Sequence, residues 1–213
     1  RNHSSAASDV YKRQKNDKVS VGIVSDGTFL LDGGAVFGLV PKTLWERNMK
    51  PDRRNRVRLG LNCMLIRTLN ANILVDTGIG SKEPEITKEF YGHSSSKLAT
   101  NLRKEGISAK DIDYVVLTHL HFEKCGGATK MDREGNIIPS FPKAKYVIQR
   151  DAWNEAFNPN EWAIPKYSNA VKHLKVIEER DQLQLIDGNT EIVPGVEAVV
   201  LDVDTENKRI SLG

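Results

Sequence analysis

Two short apolar segments, each followed directly by polar residues, constrain the fold of this chain more than any other feature. Residues 73–75 read Ile-Leu-Val and lead into Asp76, and residues 114–117 read Tyr-Val-Val-Leu and lead into Thr118 and His119. Short β-branched runs of this kind are typical of strands that are buried on both faces. Since α/β proteins place functional polar residues at strand ends, we expect both segments in one sheet, with Asp76 near His119.

The other apolar patterns predict a mixed α/β (α+β) chain built in layers. The long run 57–69 has the composition of a core strand. A helix is predicted to begin at a cap formed by Ser95 or Ser96. Leu98 and Leu102 follow at helical spacing, so this helix should cover the sheet. The residues expected to be buried are Leu74, Leu98, Val115 and Leu117.

Three segments that contain glycine are interpreted as turns or loops. A hairpin is predicted over residues 19–31 with its turn at 25–27, where the sequence is Ser-Asp-Gly. A second hairpin is predicted over residues 183–193, with its turn at an Asp-Gly pair. Residues 32–38 contain three glycines but lack a phosphate-binding pattern, and they are predicted to form a loop.

The composition is that of one ordinary globular domain, with 39% hydrophobic and 28% charged residues among 213. A formal net charge of +3 is too small to favour a nucleic-acid partner. No apolar run reaches the ~18 residues of a membrane span. Two cysteines, Cys63 and Cys125, provide no disulfide framework, and a cytoplasmic location is expected. The oligomeric state is left open.

The first seventeen residues differ from the rest of the chain. They are polar and aperiodic, and residues 4–14 resemble a translated sequencing adapter. We therefore interpret residues 1–17 as a leader and place the domain at residues 18–213.

A pair of histidines marks the main candidate site. His119 and His121 are separated by one residue just after the predicted strand, and two imidazoles in such a turn can face one centre. Glu123 is an oxygen ligand of suitable type, although a solvent-facing carboxylate is the alternative. The glycine pair at 126–127 indicates a tight loop. This pattern predicts a site for a transition-metal ion, and an incidental pair of histidines remains possible.

Several of these segments resemble one enzyme family. Residues 107–121, which end in Thr-His-Leu-His, are similar to the signature segment of the metallo-β-lactamase superfamily. Residues 73–78, Ile-Leu-Val-Asp-Thr-Gly, resemble its upstream aspartate motif, and residues 194–197 resemble the segment leading to the next metal histidine. Residues 32–42 resemble the subgroup of lactonases and organophosphate hydrolases. The resemblance covers residues 19–201.

The resemblance implies a four-layer αβ/βα sandwich with a mono- or dinuclear metal site, usually zinc, at one edge of a sheet. It also implies hydrolysis of an ester, lactone or phosphoester bond in a small-molecule substrate through a metal-activated water. In this comparison Glu123 takes a catalytic role, and Asp76 supports the site from behind the ligands.

The metal motif departs from the family pattern at two positions. The family reads His-x-His-x-Asp-His, whereas residues 119–124 read His-Leu-His-Phe-Glu-Lys. Glu123 is one methylene longer than aspartate, which is expected to move its oxygens by ~1 Å and to slow catalysis. Lys124 carries an ammonium group, which has no lone pair for a metal while it is protonated.

The later ligands of the family are also missing from the expected places. The third histidine should fall at residues 203–205, which read Val-Asp-Thr, so that Asp204 is a further candidate ligand. The remaining family ligands would follow Gly213, and we expect the C-terminal part of the sandwich to be incomplete in a fragment.

These departures lead to a divided functional expectation. We expect one divalent ion, zinc or another metal, or none, with His119, His121 and Glu123 as ligands. The chain is then a metal-dependent hydrolase with impaired activity. The alternative is a catalytically inactive relative that binds a ligand or a partner, so whether the chain is an enzyme stays open.

Overall fold

The computed structural model describes residues 14–16, 19–82, 85–93, 95–159, 169–200, 203–204 and 209–210. The strands are β1 (Gln14–Asn16), β2 (Val19–Asp32), β3 (Arg56–Thr68), β4 (Asn72–Val75), β5 (Tyr114–Leu117), β6 (Thr129–Met131), β7 (Ile137–Pro139), β8 (Lys145–Gln149), β9 (Leu183–Ile186), β10 (Thr190–Val193), β11 (Val196–Ala198), β12 (Val203–Asp204) and β13 (Arg209–Ile210). The helices are α1 (Gly33–Phe37), α2 (Lys42–Trp45), α3 (Glu85–Tyr91), α4 (Leu98–Lys104), α5 (Phe122–Cys125), α6 (Arg150–Phe157), α7 (Asn169–His173) and α8 (Lys175–Glu179). Short 3-10 turns cover Ala109–Asp111 and Gly126–Ala128.

A seven-stranded mixed sheet with the order β1-β2-β3-β4-β5-β8-β9 forms the centre of the described residues. Strands β1 to β4 pair antiparallel, whereas β4, β5, β8 and β9 run parallel. Leu74 lies opposite Val115 in the parallel pair β4 and β5. Both strands therefore end at the same edge, which confirms that residues 73–75 and 114–117 share one sheet.

One face of the sheet is covered by helices and forms the main core. Leu74 and Val115 are fully buried, Leu117 is nearly so, and Leu98 and Leu102 of α4 pack into the same cluster. The four residues expected to be buried are confirmed. Burial of a leucine or valine side chain of this kind contributes roughly 1.5–3 kcal/mol, so this face supplies much of the stability of the fold.

The second face of the sheet is also apolar. A cavity of about 510 Å³ lies over it, with Ile73 and Val116 on the sheet side and Val196 and Val199 on the side of the β10–β11 hairpin. Thr118 lines the same cavity, so the cavity begins next to the edge where β5 ends. Apolar residues on both faces are what parallel strands of α/β proteins require.

The hairpin predicted over residues 19–31 is wrong, because β2 is one continuous strand of 14 residues. It pairs with β3 along its whole length, and only the step from Ser25 to Gly27 is irregular. Gly27 has a φ of 122°, and Asp26 points into the interior with no exposed surface. The Asp-Gly pair therefore forms a bulge in a long strand. The same pair of residues is also common in turns, so the sequence does not distinguish the two.

Two further turn assignments are wrong for related reasons. Residues 33–37 form α1, because the Asp32 carboxylate accepts a hydrogen bond from the Ala35 amide at 3.1 Å and caps the helix. Strand β9 joins the central sheet parallel to β8, and β10 pairs with β11 instead. The second hairpin turns at Gly195, where φ is 84°.

Among the described residues, no helix combines the length and the apolar character of a membrane-spanning segment.

Candidate metal centre

Three potential ligands meet at the edge where β5 ends. The donor atoms of His119, His121 and Glu123 lie within 4.8 Å of one another, and all three residues are partly buried. Glu123 Oε1 lies 3.8 Å from Nε2 of His119 and 3.5 Å from Nδ1 of His121. Among the residues whose side chains the structure describes, this is the group of histidine, cysteine and acidic residues close enough to hold a metal ion.

Alternating burial brings these three side chains together. Leu120 is 1% exposed and Phe122 is 7% exposed, so both point into the core. The Phe122 ring contacts Phe29 of β2 and Tyr91 of α3, with ring centroids 6.2 and 4.6 Å apart. The candidate ligands alternate with these two buried residues. Because Leu120 and Phe122 point into the core, the side chains of the ligands lie together on the opposite side of the segment.

A hydrogen-bonded chain orients the first histidine. The Thr118 hydroxyl donates to Oδ1 of Asp76 at 2.9 Å and lies 3.1 Å from Nδ1 of His119. An ionised carboxylate only accepts hydrogen bonds, so the hydroxyl proton goes to Asp76 and the hydroxyl oxygen accepts from the Nδ1–H group of His119. Nε2, the ring nitrogen of His119 that faces Glu123, is then the atom that donates to the carboxylate when it carries a proton and can bind a cation when it does not.

Asp76 lies behind the ligands. It is buried, has a left-handed φ of 59°, and accepts hydrogen bonds from both the amide and the hydroxyl of Thr118. Its other oxygen lies 3.3 Å from Nζ of Lys124. The structure thus brings Asp76 next to the motif, where it contacts Thr118 and Lys124.

The charge of Glu123 is fixed by its surroundings. Burial alone would raise the pKa of this carboxyl group, but hydrogen bonds from the His119 and His121 rings outweigh burial and lower the pKa to about 2. An ionised carboxylate with two imidazole nitrogens is a donor set that zinc and similar divalent ions prefer. The residues present therefore fit such an ion.

Two loops pack backbone against backbone beside this group. A Cβ atom on Gly127 would lie 2.1 Å from the carbonyl oxygen of Thr77, and one on Gly126 would lie 2.2 Å from that of Ile79. The amide and hydroxyl of Thr77 both donate to the Lys124 carbonyl, at 2.7 and 2.8 Å. The glycine pair therefore lets the segment after β4 hold the segment that carries the ligands.

Asp26 is a structural residue of this region that the sequence analysis missed. One carboxylate oxygen accepts hydrogen bonds from the amides of Lys97 and Leu98 and from the Ser96 hydroxyl, and the other accepts from the Gly80 amide. The expected cap of α4 by Ser95 or Ser96 is wrong. Ser96 donates its hydroxyl to Asp26, and the carboxylate of this distant strand residue satisfies the first amides of the helix.

The cysteines do not take part in the group. Cys125 is buried, and its thiol donates to the Leu120 carbonyl at a distance of 3.3 Å. Burial raises the pKa of Cys125 to about 12 and also raises that of Cys63. Both thiols are therefore protonated packing residues, not thiolate ligands.

The remaining candidates are placed as follows. Asp204 belongs to β12, but its side chain lies outside the described residues. His93 and His173 are not members of the ligand group. The candidate site in the described residues consequently consists of His119, His121 and Glu123, with Asp76 and Thr118 behind them.

Among known proteins, this chain is similar in sequence to curated N-acyl homoserine lactonases. An N-acyl homoserine lactonase of Bacillus cereus is 25% identical over 154 residues, which is 67% of this chain and 54% of the relative. The N-acyl homoserine lactonase AiiA of Bacillus thuringiensis subsp. kurstaki is 24% identical over 152 residues, covering 63% and 50% of the two chains. This chain spans about half the length of the curated relatives it matches.

Solved structures show the same fold. A probable metal-dependent hydrolase from Staphylococcus aureus is similar with a TM-score of 0.74 and 31% identity, covering 86% of this chain and 64% of that one. AidC, a dizinc quorum-quenching lactonase, has a TM-score of 0.66 and 22% identity, covering 86% and 63%. The family profile described as "Metallo-beta-lactamase superfamily" matches residues 56–197, which include His119, His121 and Glu123. The chain therefore belongs to the metallo-beta-lactamase superfamily.

Proposed function

We propose that this chain is a metal-dependent hydrolase of the lactonase type, which cleaves an ester, lactone or phosphoester bond in a small molecule. One observation carries the proposal. Nε2 of His119, Nδ1 of His121 and Oε1 of Glu123 converge at a sheet edge of the family fold. Three acceptors so close to one another repel unless a proton or a cation lies between them, and this arrangement supports metal binding.

The metal in this proposal is one divalent ion, with zinc as the preferred candidate. His119, His121 and Glu123 would hold it, and Asp204 remains a further candidate ligand. An ion held there supplies Lewis acidity, which acidifies water and polarises a carbonyl or phosphoryl oxygen.

The residues of the chain have distinct tasks in this proposal. Thr118 fixes the ring orientation and the tautomer of His119, and Asp76 fixes the hydroxyl of Thr118. Glu123 contributes the negative charge that a divalent ion requires. Lys124 contributes a positive charge next to Asp76.

The relatives support a substrate class for this proposal. The curated relatives are N-acyl homoserine lactonases, so a lactone with an apolar acyl chain is the first substrate to test. We propose that turnover is slow in this chain, because a glutamate replaces the shorter aspartate and a lysine replaces a nitrogen ligand. The second candidate is a binding module without turnover, which the ion pair between Lys124 and Asp76 favours because it gives the site a cation of its own.

The proposal is tested with the purified chain, with zinc or manganese added to a metal-free preparation. We expect slow hydrolysis of an N-acyl homoserine lactone, about 10²-fold below the Bacillus cereus lactonase, since ~1 Å of misplacement costs about that factor. His119→Ala and His121→Ala should abolish both metal binding and hydrolysis, and His93→Ala is the matched control that should retain them. Hydrolysis that survives in either ligand variant, or in a chelator, would contradict the proposal. Metal binding without turnover in the unmodified chain would favour the binding module.

A further inference from the structure

We infer that Lys124 is a built-in cation at Asp76, which occupies the place of a second metal ion and limits this site to one. The inference rests on the proposed function for the first ion, held by His119, His121 and Glu123. It concerns a different pair of residues, so the two can be tested separately.

The first observation is the position of the ammonium group. Nζ of Lys124 lies 3.3 Å from Oδ2 of Asp76, whose side chain is 8% exposed, while the lysine side chain is 33% exposed. A carboxylate that is so little exposed requires a partner of opposite charge, because leaving it alone in the protein is costly. In the described structure the partner at Oδ2 is Lys124, together with the Thr118 hydroxyl at 3.1 Å.

The second observation is that the backbone of Lys124 is held firmly. Its carbonyl accepts hydrogen bonds from the amide and the hydroxyl of Thr77, and its amide donates to the His121 carbonyl at 2.9 Å. The next turn is fixed by the contact of Gly127 with Thr77. From this anchored backbone the lysine side chain reaches Oδ2 of Asp76 and stays partly exposed.

Lys124 also carries the charge of a cation. A protonated lysine has three donors and no lone pair, so it repels a cation where a histidine would bind one. The pair formed by Lys124 and Asp76 is neutral, which leaves Glu123 as the net negative charge facing the first ion. The similar structure AidC is described as a dizinc lactonase, and this chain supplies one of the two cations itself.

The test is the number of zinc ions per chain, measured by mass spectrometry after equilibration with excess zinc and desalting. Lys124→His removes the ammonium and adds a nitrogen, so zinc should rise by about one ion per chain relative to the unmodified protein. Lys124→Arg keeps the positive charge and should show no rise. Lys143→Ala is the matched control. Lys143 also forms an ion pair with an aspartate, Asp113 at 2.9 Å, but this pair lies where β5 begins, at the end of the strand away from the candidate site.

The increase in zinc ions per chain from the unmodified protein to Lys124→His tests the inference. The number of zinc ions bound by the unmodified chain tests the proposed function. No increment in Lys124→His, or an equal increment in Lys124→Arg, would overturn the inference. Two zinc ions in the unmodified chain would also overturn it while supporting a metal site. If the unmodified chain binds none but Lys124→His binds one, the proposed function fails and the inference is overturned with it, because Lys124 would then exclude the first ion and not a second one.

A second variant guards against a failure of Lys124→His to fold. Lys124→Gln removes the charge without adding an imidazole and keeps most of the side-chain length. Its thermal unfolding midpoint should rise more on addition of zinc than that of the unmodified chain, because Asp76 then lacks its internal cation. An equal rise in both proteins would contradict the inference.

Discussion

The Thr118 hydroxyl lies 3.1 Å from Nδ1 of His119, and through this contact a buried carboxylate acts on a ligand that it does not touch. The hydroxyl donates its hydrogen bond to Asp76, so the histidine must donate to the hydroxyl oxygen. The aspartate motif after β4 is thus linked to the histidine motif after β5 by one threonine.

Replacement of Thr118 by valine tests this link. The variant keeps the shape of the side chain but removes the hydroxyl, so His119 should lose its fixed tautomer. We expect zinc affinity to fall about 10- to 100-fold, as is usual when a partner behind a metal ligand is lost. The measurement is zinc affinity by competition with a chromogenic chelator.

Thr129→Val is the matched control for this prediction. Thr129 is 1% exposed, and within the described residues its hydroxyl has no hydrogen-bond partner. Its replacement should leave zinc affinity unchanged. An equal loss of affinity in both variants would show that Thr118 acts through general packing only.

Gly127→Ala should destabilise the protein by about 1–3 kcal/mol, because the new Cβ atom would lie 2.1 Å from the Thr77 carbonyl oxygen. The free energy of unfolding from urea titrations measures the loss. Gly22→Ala is the control, since a Cβ atom at Gly22 meets nothing within 4 Å. A loss in Gly127→Ala no larger than that of the control would mean that the two loops are not in tight contact.

Asp26→Asn should cost about 1–3 kcal/mol, because an amide group replaces one of two carboxylate oxygens that accept buried hydrogen bonds. Asp132→Asn is a suitable comparison, since Asp132 accepts the amides of Glu134 and Asn136 in an exposed turn. Its replacement should cost less in the same urea titration. Equal losses of unfolding free energy would show that the buried hydrogen bonds of Asp26 stabilise the fold no more than those of an exposed turn.

The low pKa of Glu123 predicts a dependence of stability on pH in the metal-free protein. The pKa is about 2 in the folded chain against an ordinary value of 4.5, so the folded state favours the ionised form. The resulting stabilisation is fully present above pH 4.5 and is lost as the pH falls through about 2. The difference in unfolding free energy between the unmodified chain and Glu123→Gln should shrink over that interval.

Removal of the histidines provides the control for the pH experiment. Hydrogen bonds from His119 and His121 lower this pKa, so the pH-dependent difference should disappear when both are replaced by alanine. Persistence of the full difference in that background would show that the histidines do not set the charge of Glu123.

The sequence was sufficient to predict the edge of the sheet but not the contacts across it. The β-branched segments before Asp76 and Thr118 predict parallel strands, and such strands end together by geometry. The partners of Asp26 lie 54 to 72 residues away along the chain. No local pattern reports such distances, and an Asp-Gly pair within a strand has the same composition as a turn.

The ion pair of Lys124 with Asp76 is a second contact that the sequence did not predict. Residue type alone indicated that Lys124 is a poor ligand, which follows from the chemistry of an ammonium group. Its contact with Asp76 depends on how α5 packs against the segment after β4, and this packing is long-range. Residue chemistry is therefore readable position by position, whereas pairing requires the fold.

The backbone contact between residues 77–80 and residues 126–127 has a consequence for how this site can change through evolution. No side chain separates the two segments, so neither can adjust to a substitution by changing a rotamer. A larger residue in one segment is tolerated only if the other segment changes at the same time. We therefore expect a substitution in one of these segments to require a compensating change in the other, even though the two are about fifty residues apart in the chain.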